Sequence, residues 1–294
     1  MNALRTVCDF VRYAQTSLTR AQVSFGHGTD NAFDEACVLL RFALHLPYDC
    51  DLTLHYWQAA LTQAEAQAFL ALLNRRISER VPAPYLTGEV HVQGLRLLTD
   101  PKVIVPRSLI GEVLENDGLA PWLGAPIESA LDLCTGSGAI ALQAALALGC
   151  ERVDAVDIEP AAVALAKRNA ALHGLQDVVC VHQGDLYAPA ALQGRQYGLI
   201  VSNPPYVNAN AMAQLPKEYL NEPDLALAGG ADGMDVVRRI MAGAKQHLTE
   251  NGLLVIEIGH EAAYFEAAFP ALAFTYLPVQ AGDDLVVLVL AQDL

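Results

Sequence analysis

The chain has 294 residues, 53% hydrophobic and 17% charged, a composition that excludes a disordered tail protein at a length suited to two domains. Eighteen Lys and Arg against 33 Asp and Glu give a formal net charge of -15, which repels phosphate backbones and anionic membranes and favours a basic partner over naked nucleic acid. The six cysteines form no C-x-x-C pair and no His stands at zinc-finger spacing, so metal and disulfide frameworks are excluded and free thiols in a reducing cytoplasm are expected.

The opening "MNALRTVCDFVRYAQ" places Arg5, Asp9 and Arg12 inside its apolar pattern, which breaks a signal-peptide core and predicts an amphipathic helix. "AFDEACVLLRFALHL" reads as a second helix ending before Pro47. Thr62 and Glu65 form a capping-box signature ahead of Phe69, Leu70, Leu73, Ile77 and Val81, whose spacing predicts a helix over about 63–80. Residues 1–80 are therefore expected to be a small all-helical domain, and residues 81–105, where Pro and Gly punctuate alternating runs around Val90, Val92, Leu95 and Leu97, a β-hairpin linker. From 106 to 294 the runs "SALDL", "RVDAVDI", "DVVCVHQ", "YGLIVS" and "GLLVIEIG" alternate with helical segments such as "GAIALQAALALG" and "PAAVALAKRNAALHG", which predicts an α/β domain with a parallel sheet. The last two runs, "ALAFTYLP" and "DDLVVLVLA", lie too close together for a helical crossover, so one of them must run antiparallel. The longest apolar runs are strand length, well short of the roughly 20 residues of a membrane span.

"LDLCTGSGAIALQ" puts Gly136 and Gly138 at a strand-to-helix turn, the edge where open parallel sheets bind ligands. With Ala141 they fit G-x-G-x-x-G/A, which serves dinucleotide and S-adenosylmethionine (SAM) sites, and also plain helix–strand packing. Asp157, closing the second strand of this domain in "AVDIEP", is placed to accept both hydroxyls of an adenosine ribose, and Asp185 in "HQGDLY" to accept from an adenine amino group. Asp132, four residues before Gly136, suits the ammonium group of SAM and would repel a pyrophosphate.

The fourth strand delivers "VSNPPYV" to the same edge. Pro204 drives Asn203 out of the helical region, and two fixed φ angles hold the following carbonyls without amide donors to compete. The Asn203 side-chain oxygen and the Pro204 carbonyl form a rigid acceptor pair for a planar NH2 group, held behind by Pro205, with the Tyr206 ring packed beside it. An amide or an exocyclic adenine amine would both fit.

"DLCTGSGAIA", "AVDIEP", "GDLY" and "VSNPPYV" together resemble the class I SAM-dependent methyltransferases, and most closely the N5-glutamine methyltransferases that modify translation proteins. That resemblance implies a Rossmann-like seven-strand mixed sheet, SAM as cofactor with S-adenosylhomocysteine as product and no metal. It also implies that Asn203 and the Pro204 carbonyl hold a glutamine amide. The loop from Thr135 through Gly136, Ser137 and Gly138 to Ile140, together with Asp157 and Ile158, would hold the cofactor, with Leu186 beside adenine. "VPRSLIGEV" and "LPKEYLNEPDLALAGGADGMDVVRRI" resemble the branch acting on large-subunit ribosomal protein L-three more than the release-factor branch, whose members have Thr-Glu soon after Pro-Arg. Leu109 departs from that wording, where Pro is expected, and Arg107 is either a surface cation or a residue that orders the site. The partner implied is a basic ribosomal protein, free or in early assembly, in the cytoplasm, with no direct nucleic-acid or membrane contact. An N6-adenine methyltransferase would need a basic cleft, and the charge of -15 argues against one.

Overall fold

The computed structural model describes residues 4–294, so the first three residues of the expected N-terminal helix segment lie outside the described residues. The chain divides into two compact units, one comprising residues up to Val90 together with Pro216–Asn221, the other His91–Leu215 together with Glu222–Leu294.

The first unit is helical: α1 (Val7–Arg20), α2 (Ala32–Ala43), α3 (Leu52–His55), α4 (Gln63–Ser78) and α5 (Ala83–Thr87). Its helix starts are set by side chains that satisfy otherwise orphaned amides. Capping boxes form at Thr6 with Asp9 and at Thr62 with Glu65, and Asn31 accepts from the amides of Phe33 and Asp34. Phe10, Leu18, Leu39, Leu40, Phe69 and Leu73 fill the core, and the rings of Phe10 and Phe69 meet edge-on at 5.9 Å. One polar group shares this core. Arg76, fully buried, donates to Glu35 Oε1 at 2.8 Å, to the Ser24 carbonyl at 2.6 Å and to Glu218 Oε1 at 3.3 Å. Burial pushes the Glu35 carboxyl up against the opposing pull of Arg76. Glu218 also accepts from Arg80 and the Ser24 amide, which secures the Pro216–Asn221 segment within this unit.

The hairpin strands are β1 (Glu89–Val92) and β2 (Leu95–Leu98), and the boundary between the two units falls inside β1. Beyond it come α6 (Ile110–Glu115), β3 (Ser129–Leu133), α7 (Ala139–Ala147), β4 (Arg152–Asp157), α8 (Pro160–Leu172), β5 (Val179–Gln183), β6 (Tyr197–Ser202), α9 (Ala209–Met212), α10 (Asp235–His247), β7 (Leu248–Glu257), α11 (Ala262–Ala268), β8 (Thr275–Tyr276) and β9 (Val286–Leu290). The seven longer-range strands form one sheet in the order β5-β4-β3-β6-β7-β9-β8. β3 to β7 pair in parallel and β9 runs antiparallel to both β7 and β8, as the short final connection requires. This is the class I methyltransferase, Rossmann-like α/β fold. The fully buried strands explain the near-continuous apolar runs: Leu131, Ala155, Ile200, Val201, Leu254, Val255, Val287 and Val289 are all without solvent contact.

The run "ALAFTYLP" yields only the two-residue strand β8. Its apolar residues go into packing instead, with the Phe274 ring edge-on to Phe265 of α11 at 5.2 Å. The order of the strands reverses between β3 and β6, the switch point at whose carboxyl ends open α/β sheets bind ligands. Among the described residues no helix is long and apolar enough to cross a membrane.

Candidate active site

The register Val156↔Leu133, Leu133↔Ser202 and Ser202↔Ile256 brings the carboxyl ends of β4, β3, β6 and β7 to one level. Above β3 the chain turns through Cys134, Thr135, Gly136 and Ser137 into α7. Gly136 and Gly138 adopt φ +54° and +83°, a region that glycine enters without cost. A Cβ on Gly138 would also stand 3.1 Å from that of Ala166 on α8, so this glycine serves helix packing as well as the turn. Ile140 is buried at the start of α7, and the buried Asn169 of α8 donates to the Ser137 carbonyl at 2.9 Å.

Asp132 lies beneath this turn with no solvent contact. Its Oδ2 accepts from Thr135 Oγ1 at 2.5 Å and from the Ala141 amide at 3.1 Å, whereas Oδ1 accepts no hydrogen bond from any described residue. Burial pushes its carboxyl up to about 7, with Asp157 adding to the rise and the bonds from Thr135 and Ala141 opposing it. A buried carboxylate oxygen without a donor is costly and invites a cationic hydrogen-bond donor.

At the end of β4, Asp157 accepts from the Gly136 amide at 2.8 Å through Oδ2 and from the Glu159 amide at 2.9 Å through Oδ1. Each oxygen keeps a further lone pair. Burial raises this carboxyl as well, against those two backbone bonds. Ile158 beside it is 50% exposed, an apolar surface at the sheet edge. Past β5, Leu186 is buried and holds φ +51°, a left-handed conformation that a branched side chain adopts only under tertiary constraint. Asp185 next to it accepts from Arg239 Nη2 of α10 at 2.7 Å. Asp132, Thr135, Gly136 and Asp157 thus form one bonded cluster, and Asp185 stands apart from it in an ion pair.

At the end of β6, Ser202 Oγ donates to the Leu133 carbonyl at 2.7 Å and fixes that strand end to β3 just before Asn203. Asn203, Pro205 and Tyr206 are partly exposed and Pro204 is buried. Val207 then pairs with the segment around Ala228, its amide donating to the Leu227 carbonyl and its carbonyl accepting from Gly229. Three glycines crowd Tyr206. A Cβ on Gly229 would lie 2.7 Å from the Tyr206 Cα, one on Gly233 2.2 Å from its carbonyl oxygen, and one on Gly259 2.4 Å from ring atom Cε2. The backbone and ring of Tyr206 therefore rest against main chain that no larger residue could supply.

The Tyr206 hydroxyl donates to Glu257 Oε1 at 3.1 Å. Glu257, at the end of β7 and 3% exposed, accepts on Oε2 from Ser108 Oγ at 2.6 Å and from the Leu109 amide at 2.8 Å. Burial raises its carboxyl, while those donors and the nearby charge of Arg107 pull the other way. Arg107 forms a two-point pair with Glu222, Nη1 to Oε1 at 2.7 Å and Nη2 to Oε2 at 2.8 Å, and Glu222 also accepts from the Val105 amide at 3.0 Å. Arg107 is therefore a partly exposed cation in an ion pair with Glu222. It holds the strap that leads to Ser108.

Sequence reasoning missed Asn169, Glu222, Arg239, Glu257 and the three glycines, because each acts on a residue far away in the chain. The signal that existed was the density of glycine in "ALAGGADGMD" and "EIGH", outside any hairpin pattern.

A family model described as Methyltransferase small domain matches residues 119–230. The chain is 49% identical over 99% of its length to the ribosomal protein uL3 glutamine methyltransferase of Burkholderia pseudomallei, covering 96% of that protein. It is 49% identical over 99% of its length to the protein of the same name from Bordetella pertussis, covering 97% of it, and 43% identical over 99% to that of Neisseria gonorrhoeae, covering 96%. Among solved structures, the hMettl16 catalytic domain in complex with MAT2A 3′UTR hairpin 1 aligns with TM-score 0.53 at 15% identity, over 87% of this chain and 90% of that one, a likeness of fold alone. With sequence alike from one end to the other and a bonded strand-end site on a class I sheet, the chain belongs to the family of ribosomal protein uL3 glutamine methyltransferases.

Proposed function

We propose that this chain transfers a methyl group from SAM to the side-chain nitrogen of a glutamine in large-subunit ribosomal protein uL3. The observation that carries the reading is the adjacency of two features. Asn203–Tyr206 closes β6, and the next strand, β3, carries the buried Asp132 with its open oxygen, in a chain nearly half identical to the named relatives.

The residues fit the cofactor. Asp132 Oδ1 would take its ammonium group, the turn from Thr135 to Gly138 its amino-acid portion, Asp157 the ribose hydroxyls, and Asp185 with Ile158 and Leu186 the adenine. When bound, SAM supplies a methyl group made electrophilic by a sulfonium. The protein's own work is orientation. Asn203 Oδ1 and the Pro204 carbonyl would accept the two amide hydrogens, which aims the nitrogen at the methyl; the new nitrogen–carbon bond forms as the methyl parts from sulfur, and one of the two hydrogens leaves as a proton to solvent. Acceptors of this kind gain strength as positive charge grows on nitrogen, so they favour the transition state over the ground state. Tyr206 covers one face of the amide plane. The acceptor pair asks for no metal.

The helical unit with its Pro216–Asn221 segment is proposed to recognise the protein substrate. The charge of -15 would speed encounter with a basic ribosomal protein in the cytoplasm. Incubation of the purified chain with SAM and uL3, followed by intact-mass analysis, is expected to show one added methyl on uL3. Methyl transfer to a release factor or to DNA in place of uL3 would overturn the reading.

A further inference from the structure

We propose that Glu257 is a positioning residue for the transfer: its carboxylate holds the Tyr206 ring through the phenol and ties it to the Ser108–Leu109 turn of the preceding strap.

Glu257 accepts three hydrogen bonds, from Tyr206, Ser108 and the Leu109 amide, and in the ionised form it offers acceptors only, so all three donors point inward at one buried group. Charge-assisted bonds of this kind are short and directional, and in a desolvated setting they are costly to lose. The register places the carboxylate well. Ser202 pairs with Ile256, so Asn203 and Glu257 follow at the same level on neighbouring strands. Tyr206 is thus fixed at both ends, its ring pressed on the Gly259 backbone and its hydroxyl anchored on Glu257, at the Asn203 level of the sheet.

A tyrosine ring that only shielded the amide would need no such anchor. Phenylalanine would serve. The anchor restricts ring rotation and sets the distance between the ring face and the acceptor pair at Asn203 and Pro204, a geometry in which about 1 Å of misplacement can cost about a hundredfold in rate. The same carboxylate reaches the strap whose other end is clamped by Glu222 on Arg107 and Val105. Strap and acceptor loop are therefore held by one network with Glu257 at its node.

This inference rests on the proposed amide transfer, and its test separates the two. Tyr206→Phe, Glu257→Gln and the double variant are assayed in the full chain for kcat, for KM toward uL3, for SAM affinity and for thermal midpoint. A 3-fluorotyrosine label at Tyr206 is followed by fluorine NMR in the wild type and in Glu257→Gln. The expected result is a fall in kcat of about tenfold or more for each single variant, SAM affinity within about twofold of wild type, and a double variant no worse than the poorer single, since both act on the shared Tyr206–Glu257 bond. The Tyr206 resonance should shift and broaden in Glu257→Gln. Losses that multiply in the double variant, or an unaltered resonance, overturn the positioning role. Should Glu257→Gln fail to fold, a Tyr206→Phe variant with wild-type kcat overturns it equally. Absence of methyl transfer by the wild-type chain overturns the functional reading, and with it any role for Glu257 in transfer.

Discussion

The Leu109 amide donates to Glu257 Oε2 at 2.8 Å, a bond that a proline in its place could not make. Leu109 holds φ -72°, which a proline ring accepts. Leu109→Pro is therefore expected to fold. A bond to a buried carboxylate contributes about 1.5–3 kcal/mol and the stiffer unfolded chain returns about 0.4–1 kcal/mol, so a net loss of about 1 kcal/mol should appear in urea unfolding. An unchanged or raised unfolding midpoint would show that the amide bond adds nothing to the network.

Gly259 stands at φ +52° with the Tyr206 ring against the place a Cβ would occupy. Gly259→Ala carries two penalties. The left-handed conformation costs a residue with a Cβ about 1–2 kcal/mol, and the ring must move away from the acceptor pair, with an expected fall in kcat of about tenfold or more. SAM affinity should hold, because the proposed cofactor residues Asp132 and Asp157 lie on β3 and β4. A variant with wild-type kcat would mean that the ring does not face the substrate.

Asn203→Ala removes one member of the proposed acceptor pair and leaves the strand end and its Ser202 anchor in place. Transfer is expected to fall by about two orders of magnitude or more, as for the loss of a single preorganised group in a polar site. SAM binding by calorimetry should change little. Near-normal turnover would rule out the two-acceptor mechanism.

The parts of this molecule that were legible in the sequence are the ones set by short-range pattern. "SALDL" became β3 residue for residue, and Thr62 with Glu65 did open α4. The turn glycines Gly136 and Gly138 were visible because a strand and a helix flank them. What was hidden depends on distance along the chain. Arg76 sits in a helical pattern as an ordinary surface cation, and only Glu35, forty-one residues earlier, and Glu218, 142 later, make it a core residue. Gly233 and Gly259 hold positive φ, and Gly259 sits in a turn closed by the Glu261 amide on the Ile258 carbonyl, but the object that they and Gly229 make room for, Tyr206, lies far off in the chain. Glu257 ends an apolar strand and gives no sign that three donors converge on it.

That buried arginine gives a stability prediction. Arg76→Ala leaves Glu35 buried with its charge uncompensated and Thr29 Oγ1 as a remaining donor, and the loss of one member of a buried pair costs about 3–5 kcal/mol. The helical unit should lose its transition at low denaturant. Pairing Arg76→Met with Glu35→Gln removes the uncompensated charge and should recover a good part of the loss. If the double variant is no more stable than Arg76→Ala, packing and not charge accounts for the effect.

The proposed place of Asp132 beside the ammonium group of SAM predicts that cofactor binding depends on pH, and the sign follows from its elevated carboxyl. An aspartate near 3.8 when unfolded and raised to about 7 when folded keeps its proton longer in the native state, so between those values the folded chain binds more protons than the unfolded one. Its contribution to stability without cofactor is then at its best below the unfolded value and is lost as pH rises toward 7, each unit of elevation corresponding to about 1.4 kcal/mol. Asp157 and Glu257 are raised as well and act in the same direction, so the Asp132 share is read from the difference between wild type and Asp132→Asn. At about pH 8 and without SAM the Asn variant should have the higher thermal midpoint, and the gap should close as pH falls toward about 4. A cation beside Oδ1 reverses the preference, because it favours the ionised carboxylate. SAM affinity of the wild type should therefore rise from about pH 5 to about pH 8, with a proton released on binding, while that of Asp132→Asn stays weak and flat. Affinity independent of pH in the wild type would place the ammonium group away from Asp132.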